Sequence, residues 1–241
     1  MRIVAEIGLN HRGGVEAADR MLEGLLEAGV RAVTFQIREP SFYDGSKPWK
    51  RELPLTFYEK AVARAAKAGA EVGFAICDPS LVPALANAGA AFFKSLSWDL
   101  VNPTVQEALA ASGRFIWAST GVSGLADIIS AARRNDSMGF IHTQLSAAIQ
   151  DQNVRAIETI RAATERPVAF GLHCADHRVA YLALATRPDA MFLYVKEDAE
   201  GPYPDDAHAL RISEVSKTSA DLETLAVAVG SGEKLPLERR L

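Results

Sequence analysis

Eight short runs of β-forming residues alternate with stretches of helical periodicity from one end of this chain to the other. No other feature of the sequence constrains its fold as much. The strand runs are Arg2–Gly8, Ala32–Ile37, Glu71–Cys77, Ala91–Ser97, Arg114–Thr120, Met138–Gln144, Pro167–Cys174 and Ala190–Glu197. Between them apolar residues recur at helical spacing over Val15–Ala28, Phe57–Ala68, Pro79–Ala88, Thr104–Ala111, Leu125–Arg134, Val154–Thr164 and His177–Thr186, and a last helix is expected over His208–Val229. The pairs Ala28-Gly29, Ala68-Gly69 and Ala88-Gly89 each put a glycine where a helix end needs a left-handed residue. Short links between strand and helix imply parallel strands, because every return needs a crossover. Eight uninterrupted units, and no G-x-G-x-x-G turn after a strand, predict a closed (β/α)8 TIM barrel over residues 1–230 rather than an open dinucleotide-binding sheet. A length of 241 residues suits one such domain.

In a parallel α/β fold, chemistry is done where strands give way to loops at their C-terminal ends. The run Ala5-Glu6-Ile7-Gly8-Leu9-Asn10-His11-Arg12-Gly13-Gly14 places a carboxylate, an amide and an imidazole at that edge of the first strand. Taken singly, Asn10 and Gly13 also suit a plain strand-to-helix turn. Two connections are long for such a fold: Arg38–Pro54, and the acidic Asp198–Ala207. Both leave C-terminal strand ends and are expected to cover the active face.

The net charge of −4 and the lack of a Lys/Arg block argue against nucleic acid or an anionic membrane surface as partner. The two cysteines, Cys77 and Cys174, form no CxxC pair, so neither a disulfide framework nor a structural zinc is expected. No basic-then-apolar leader opens the sequence and no apolar run approaches a membrane span. A soluble protein of the reducing cytoplasm is expected.

Several runs, in order, resemble the sialic acid (N-acetylneuraminate) synthases, which condense phosphoenolpyruvate with an N-acetylhexosamine. Ala5 to His11 resembles the opening motif of that family. Ala28-Gly29-Val30-Arg31-Ala32-Val33-Thr34-Phe35-Gln36 resembles its A-G-A-D-A-V-K-F-Q run, and Phe93-Lys94-Ser95-Leu96-Ser97 its Y-K-I-A-S. Ala118-Ser119-Thr120-Gly121 resembles L-S-T-G, Gln152 to Ile157 resembles V-N-L-R-A-I, and Pro167 to His173 resembles P-V-G-Y-S-D-H. The tail, 231–241, resembles a truncated interdomain linker, and the family's C-terminal antifreeze-like domain has no counterpart in the sequence.

The resemblance implies a transferase of carbohydrate biosynthesis with phosphoenolpyruvate and a sugar as substrates, and a homodimer. Phosphoenolpyruvate carries two anionic groups, so its site needs cations and oriented donors. Lys94, Ser119 and Asn153 are the implied anion contacts, and Thr120 can supply a further hydroxyl donor to the substrate. For Lys94 an ion pair inside the barrel is the alternative, and for Ser119 and Thr120 a helix cap. Gln36 and Asp206 are the candidates on the sugar side, with Glu6 a carboxylate near the aldehyde; for Asp206 a helix cap is the alternative, and Asn10 and His11 are further substrate-binding candidates. A divalent metal, manganese or magnesium, is implied as the group that polarises that aldehyde. His173 matches the first metal histidine. Aligning Val195-Lys196-Glu197-Asp198 with the family's E-K-H-F run puts Glu197 in place of the second, a carboxylate acceptable to a hard cation. His173 and Glu197 are therefore the expected metal ligands, and with Glu6 the expected catalytic residues.

Departures from the family pattern keep other readings open. Thr34 stands where a second phosphate lysine is usual, and Gly171-Leu172 replaces a serine and an aspartate. The first reading is condensation of phosphoenolpyruvate with an aldose to a 2-keto-3-deoxy sugar acid and phosphate. A second is a non-catalytic or regulatory barrel that binds a sugar or a phosphorylated metabolite. A third is a lyase or aldolase using Lys94 as Schiff-base nucleophile.

Overall fold

The computed structural model describes residues 1–47 and 49–234. Eight parallel strands close on themselves: β1 (Arg2–Gly8), β2 (Ala32–Ile37), β3 (Glu71–Ile76), β4 (Phe92–Ser95), β5 (Phe115–Ser119), β6 (Met138–His142), β7 (Val168–Leu172) and β8 (Ala190–Lys196). Each pairs with the next, and β8 pairs back onto β1 with Ala5 beside Leu193. The fold is a TIM barrel, as the alternation predicts. Its outer ring is α1 (Val15–Glu27), α2 (Leu55–Lys67), α3 (Val82–Ala88), α4 (Pro103–Ala111), α5 (Leu125–Arg134), α6 (Ala156–Thr164), α7 (Arg178–Ala183) and α8 (Ile212–Ala228). Among the described residues no helix is long and apolar enough to cross a membrane. Residues 235–241 of the expected tail lie outside the described residues.

Two apolar cores follow from the two-residue period of the strands. Val4, Ala32, Phe92, Trp117, Ile141, Ala169, Ala190 and Phe192 fill the barrel interior. Alternate residues such as Ala5, Val33, Phe74, Phe93, Phe140 and Leu193 pack outward against Met21, Leu22, Tyr58, Leu85, Ile128 and Ile157 of the helices. The helices end where the Ala-Gly pairs place them, with Gly89 at φ +102, a left-handed backbone that costs a side chain but not a glycine.

Element boundaries depart from expectation in two informative places. Residues Pro79–Leu81 form a 3-10 turn before α3, because the Asp78 carboxylate accepts the Ser80 amide at 2.9 Å and draws the chain tighter than an α-helix. The last helix does not begin at His208. Leu210–Arg211 first adds a short strand, β9, beside Val195 and Lys196 of β8, and α8 starts at Ile212. Glu214 then accepts the Arg211 amide at 3.0 Å and caps the helix. This detour carries the Asp198–Ala207 connection back over the barrel mouth.

Candidate active site

Because Val4, Ala32, Phe92, Trp117, Ala169 and Phe192 point inward, so do the residues two positions further along the same strands. Glu6, Thr34, Lys94, Ser119, Gly171 and Tyr194 therefore ring the C-terminal end of the barrel, with Gln36 and His173 one step beyond. The Lys94 ammonium donates to the Glu6 carboxylate at 2.5 Å, and both side chains are under 5% exposed. The same Nζ lies 5.3 Å from the ring centre of Phe192 and 5.6 Å from that of Tyr194.

A cavity of about 160 Å³ opens over this pair, lined by Gln36, Lys94, Ser97, Ser119, His173 and Tyr194, with Asp205 reaching in from the long last loop. The Ser97 and Ser119 hydroxyls lie 3.0 Å apart, and the Gly121 amide donates to Ser97 Oγ at 3.0 Å. Gly8, at φ +55, lets that loop approach: a side chain there would meet the Tyr194 ring at 2.8 Å and the Asp205 carboxylate at 3.4 Å.

Burial dominates the electrostatics of this end of the barrel. Burial, followed by the neighbouring Glu6 carboxylate, pushes the Asp205 carboxyl up to about 7. Burial also drives His173 down to about 3, with His208 and Lys94 adding to the shift, and its ring stays neutral. His208, whose ring centre lies 4.7 Å from that of His173, is lowered to about 4, again chiefly by burial. An acceptor-rich carboxylate pair, one ammonium and two neutral imidazoles thus share one end of the barrel.

Other expected site residues sit elsewhere. Thr120 donates its hydroxyl to the Ile141 carbonyl at 3.0 Å. With Asn153 it lines a separate groove of about 490 Å³ between α5 and α6, beside the mouth rather than in it. Asn10 and His11 are buried supports. The Asn10 amide donates to the Val195 carbonyl at 2.8 Å, and its oxygen accepts the Asp205 amide at 3.1 Å. His11 Nδ1 accepts the Gly13 amide at 3.0 Å.

Two expectations are corrected. Glu197 is not a partner of His173. Like Val195 it falls on the helix-facing side of β8, where its carboxylate pairs with Arg20 at 2.9 Å and lies 3.8 Å from Arg12. Asp206 points away from the mouth to an exposed ion pair with Lys196 at 2.6 Å, and the preceding residue, Asp205, enters the cavity instead. A metal site built on His173 and Glu197 does not fit this arrangement. Among the described residues no three His, Cys, Asp or Glu side chains converge on a common point that could hold a metal ion.

His11 predicts an acid response of the fold. Burial lowers its pKa to about 4 from the ordinary 6.5, so the unfolded chain takes up a proton there before the native one does. Stability is unaffected by this group above pH 6.5 and falls as the pH drops from 6.5 through 4. Thermal melts over that range should decline less steeply for His11→Asn, whose amide oxygen can accept the Gly13 amide without binding a proton. An unchanged slope would remove His11 from the explanation.

Comparison with known proteins fits this geometry. The NeuB family model matches residues 22–234. The chain belongs to the NeuB family. Among its relatives is an uncharacterized protein of Methanocaldococcus jannaschii, 23% identical over 98% of this chain and 74% of that protein. The N,N'-diacetyllegionaminic acid synthase of Campylobacter jejuni is 22% identical over 96% of this chain and 78% of its own length. The crystal structure of the N-acetylneuraminic acid (sialic acid) synthetase from Leptospira borgpetersenii, solved with citrate, superposes at a TM-score of 0.90 with 23% identity, covering 98% of this chain and 87% of that one.

Within this NeuB-family barrel, three hydroxyl- or carboxyl-bearing cavity residues, Ser97, Tyr194 and Asp205, escaped sequence reasoning. Ser97 closes the Phe93-to-Ser97 motif, but the strand period puts it on the outward row of Phe93; it reaches the cavity because β4 ends at Ser95 and the 3-10 turn Ser97–Val101 redirects the chain. Tyr194 follows Phe192 by the strand period and reads as core. Asp205 had a signal, the Asp205-Asp206 pair, but a loop has no periodicity to say which of two neighbours turns inward.

Proposed function

We propose that this barrel is a phosphoenolpyruvate-dependent sugar acid synthase, which condenses phosphoenolpyruvate with an aldose to a 2-keto-3-deoxy acid and phosphate. The reading is carried by the convergence of Lys94, Glu6, Ser97, Ser119, His173 and Asp205 on one cavity at the C-terminal mouth. Members of the NeuB family are phosphoenolpyruvate-condensing synthases, and substrates of that class suit this polarity. The Lys94 ammonium and the Ser97 and Ser119 hydroxyls suit the phosphate and carboxylate of phosphoenolpyruvate. Gln36 is placed to orient a sugar oxygen.

In the condensation, C3 of phosphoenolpyruvate bonds to the aldehyde carbon and the carbonyl electron pair moves onto its oxygen. Asp205, whose carboxyl burial lifts to about 7 so that a protonated fraction persists at neutral pH, can hand its proton to that oxygen. Water adds to C2 and gives up a proton to the freed carboxylate. The C2–O bond to phosphate then breaks, the C2 hydroxyl gives its proton to the departing phosphate, and its electron pair forms the carbonyl of the keto acid. The burial that keeps His173 neutral lets it accept a hydrogen bond without competing with Lys94 for the anion.

The test is phosphate release that requires both phosphoenolpyruvate and an aldose, run across an aldose panel with and without manganese. Release with both substrates and not with either alone is the expected result. Thermal stabilisation by phosphoenolpyruvate without turnover across the panel would instead favour a binding barrel. The Glu6 contact speaks against the Schiff-base alternative, since it holds the Lys94 nitrogen against a carboxylate rather than leaving it open to a carbonyl carbon. Borohydride trapping with carbonyl substrates should therefore label nothing at Lys94.

A further inference from the structure

Trp98 is half exposed, at 52%, and is the one aromatic residue among the exposed large apolar side chains of the described residues. It stands on the 3-10 turn Ser97–Val101 that follows β4, and it borders two cavities at once. One is the central cavity of about 160 Å³ over Lys94. The other, of about 220 Å³, lies toward the ends of β2 and β3 and is lined by Arg38, Glu39, Cys77, Asp99 and Asn102. Neither alone has the few-hundred-Å³ size of a pocket that holds a whole substrate, but the two together do.

The second cavity is polar and incomplete. Asp99 is 92% buried, with its carboxylate near the Cys77 thiol; one of its oxygens accepts the Asn102 amide at 3.1 Å, while the other has no hydrogen-bond partner among the described residues. An unpaired buried acceptor is costly, and a hydroxyl donated to it would recover that cost. Arg38 and Glu39 form a two-pronged ion pair at 2.9 and 3.0 Å on the opposite wall, which offers both donors and acceptors. Between this polar wall and the reacting end stands the flat apolar face of an indole. A polyhydroxylated chain has that same division, with hydroxyls along one edge and C–H groups along another.

We propose that Trp98 is the platform on which the hydroxylated chain of the acceptor aldehyde lies, and that the Asp99–Arg38 cavity binds its distal hydroxyls. The inference rests on the synthase reading and names its acceptor class, an open-chain aldose too long for the central cavity. Short aldehydes reach only the central cavity, so Trp98 sets a preference for chain length and leaves phosphoenolpyruvate binding untouched.

The experiment compares glyceraldehyde with five- and six-carbon aldoses in wild type, Trp98→Ala and Asp99→Asn. Asp99→Asn keeps the oxygen that Asn102 holds and replaces the free one with a donor. Both variants should raise KM for the long aldoses by about tenfold or more, the effect of about 1.4 kcal/mol of lost contact, with KM for glyceraldehyde and phosphoenolpyruvate unchanged. An equal rise for all substrates, or none for any, overturns the proposal. Binding is read separately by titrating a six-carbon aldose, with phosphoenolpyruvate present, against tryptophan fluorescence. Saturable quenching that is lost in Trp98→Phe and weakened in Asp99→Asn supports the subsite, and absence of quenching overturns it. If no aldose turns over but this quenching is seen, the synthase reading fails and the subsite stands.

Discussion

Lys94→Met is expected to abolish turnover and to destabilise the fold sharply. Lys94 is 3% exposed and its only anionic partner among the described residues is Glu6, itself 2% exposed. Removing the ammonium strands a carboxylate in the barrel interior, which costs about 3–5 kcal/mol in comparable buried pairs. It also removes the one cation that lines the cavity among the described residues, and loss of a single charge-stabilising donor typically slows a reaction by about 10²–10³-fold. The double variant Glu6→Gln with Lys94→Met separates the two effects. It should regain most of the stability in urea unfolding, because no buried charge is left unpaired, and none of the activity in a phosphate-release assay. Wild-type affinity for phosphoenolpyruvate in Lys94→Met would remove Lys94 from the anion site and leave it a structural partner of Glu6.

Asn10→Ala should be the second most damaging change, although Asn10 touches no substrate in this reading. Its side chain is fully buried and ties two segments together, the Val195 carbonyl at the end of β8 and the Asp205 amide in the loop beyond. Truncation leaves a buried carbonyl and a buried amide without partners, for a loss of about 2–4 kcal/mol. The Asp205 loop also loses its anchor to β1. A displacement of about 1 Å at a reacting group can cost on the order of 10²-fold, so kcat should fall with little change in the affinity for phosphoenolpyruvate. A variant that melts early but keeps its kcat would show that the loop holds Asp205 without this staple.

These residues also divide what was legible from what was not. Strand β1 and strand β2 begin and end where the sequence predicts, and helix α5 does as well. For Glu6, Gln36, Lys94, Ser119 and His173 the strand period predicts a common mouth, and the structure brings them there. Thr34 falls on the same inward face, where its hydroxyl is buried without a partner, so the site has a single lysine at its base. Loops and strand ends were less readable. Glu197 follows the helix-facing row of β8 and finds Arg20, a residue 177 positions away in sequence that no local pattern connects to it. Asn153 and Thr120 carry motif resemblance, yet their loop paths lead them to the groove between α5 and α6.

Local periodicity is a property of consecutive residues, so the amino-acid sequence alone determined the eight strands, their parallel order and which side chains face the barrel axis. Beyond the last residue of each strand that periodicity ends, and the direction of a side chain depends on contacts with segments far away in sequence. Only the tertiary structure could therefore choose Asp205 over Asp206, turn Glu197 out to the helices, make Asn10 a clamp and stand Trp98 between two cavities.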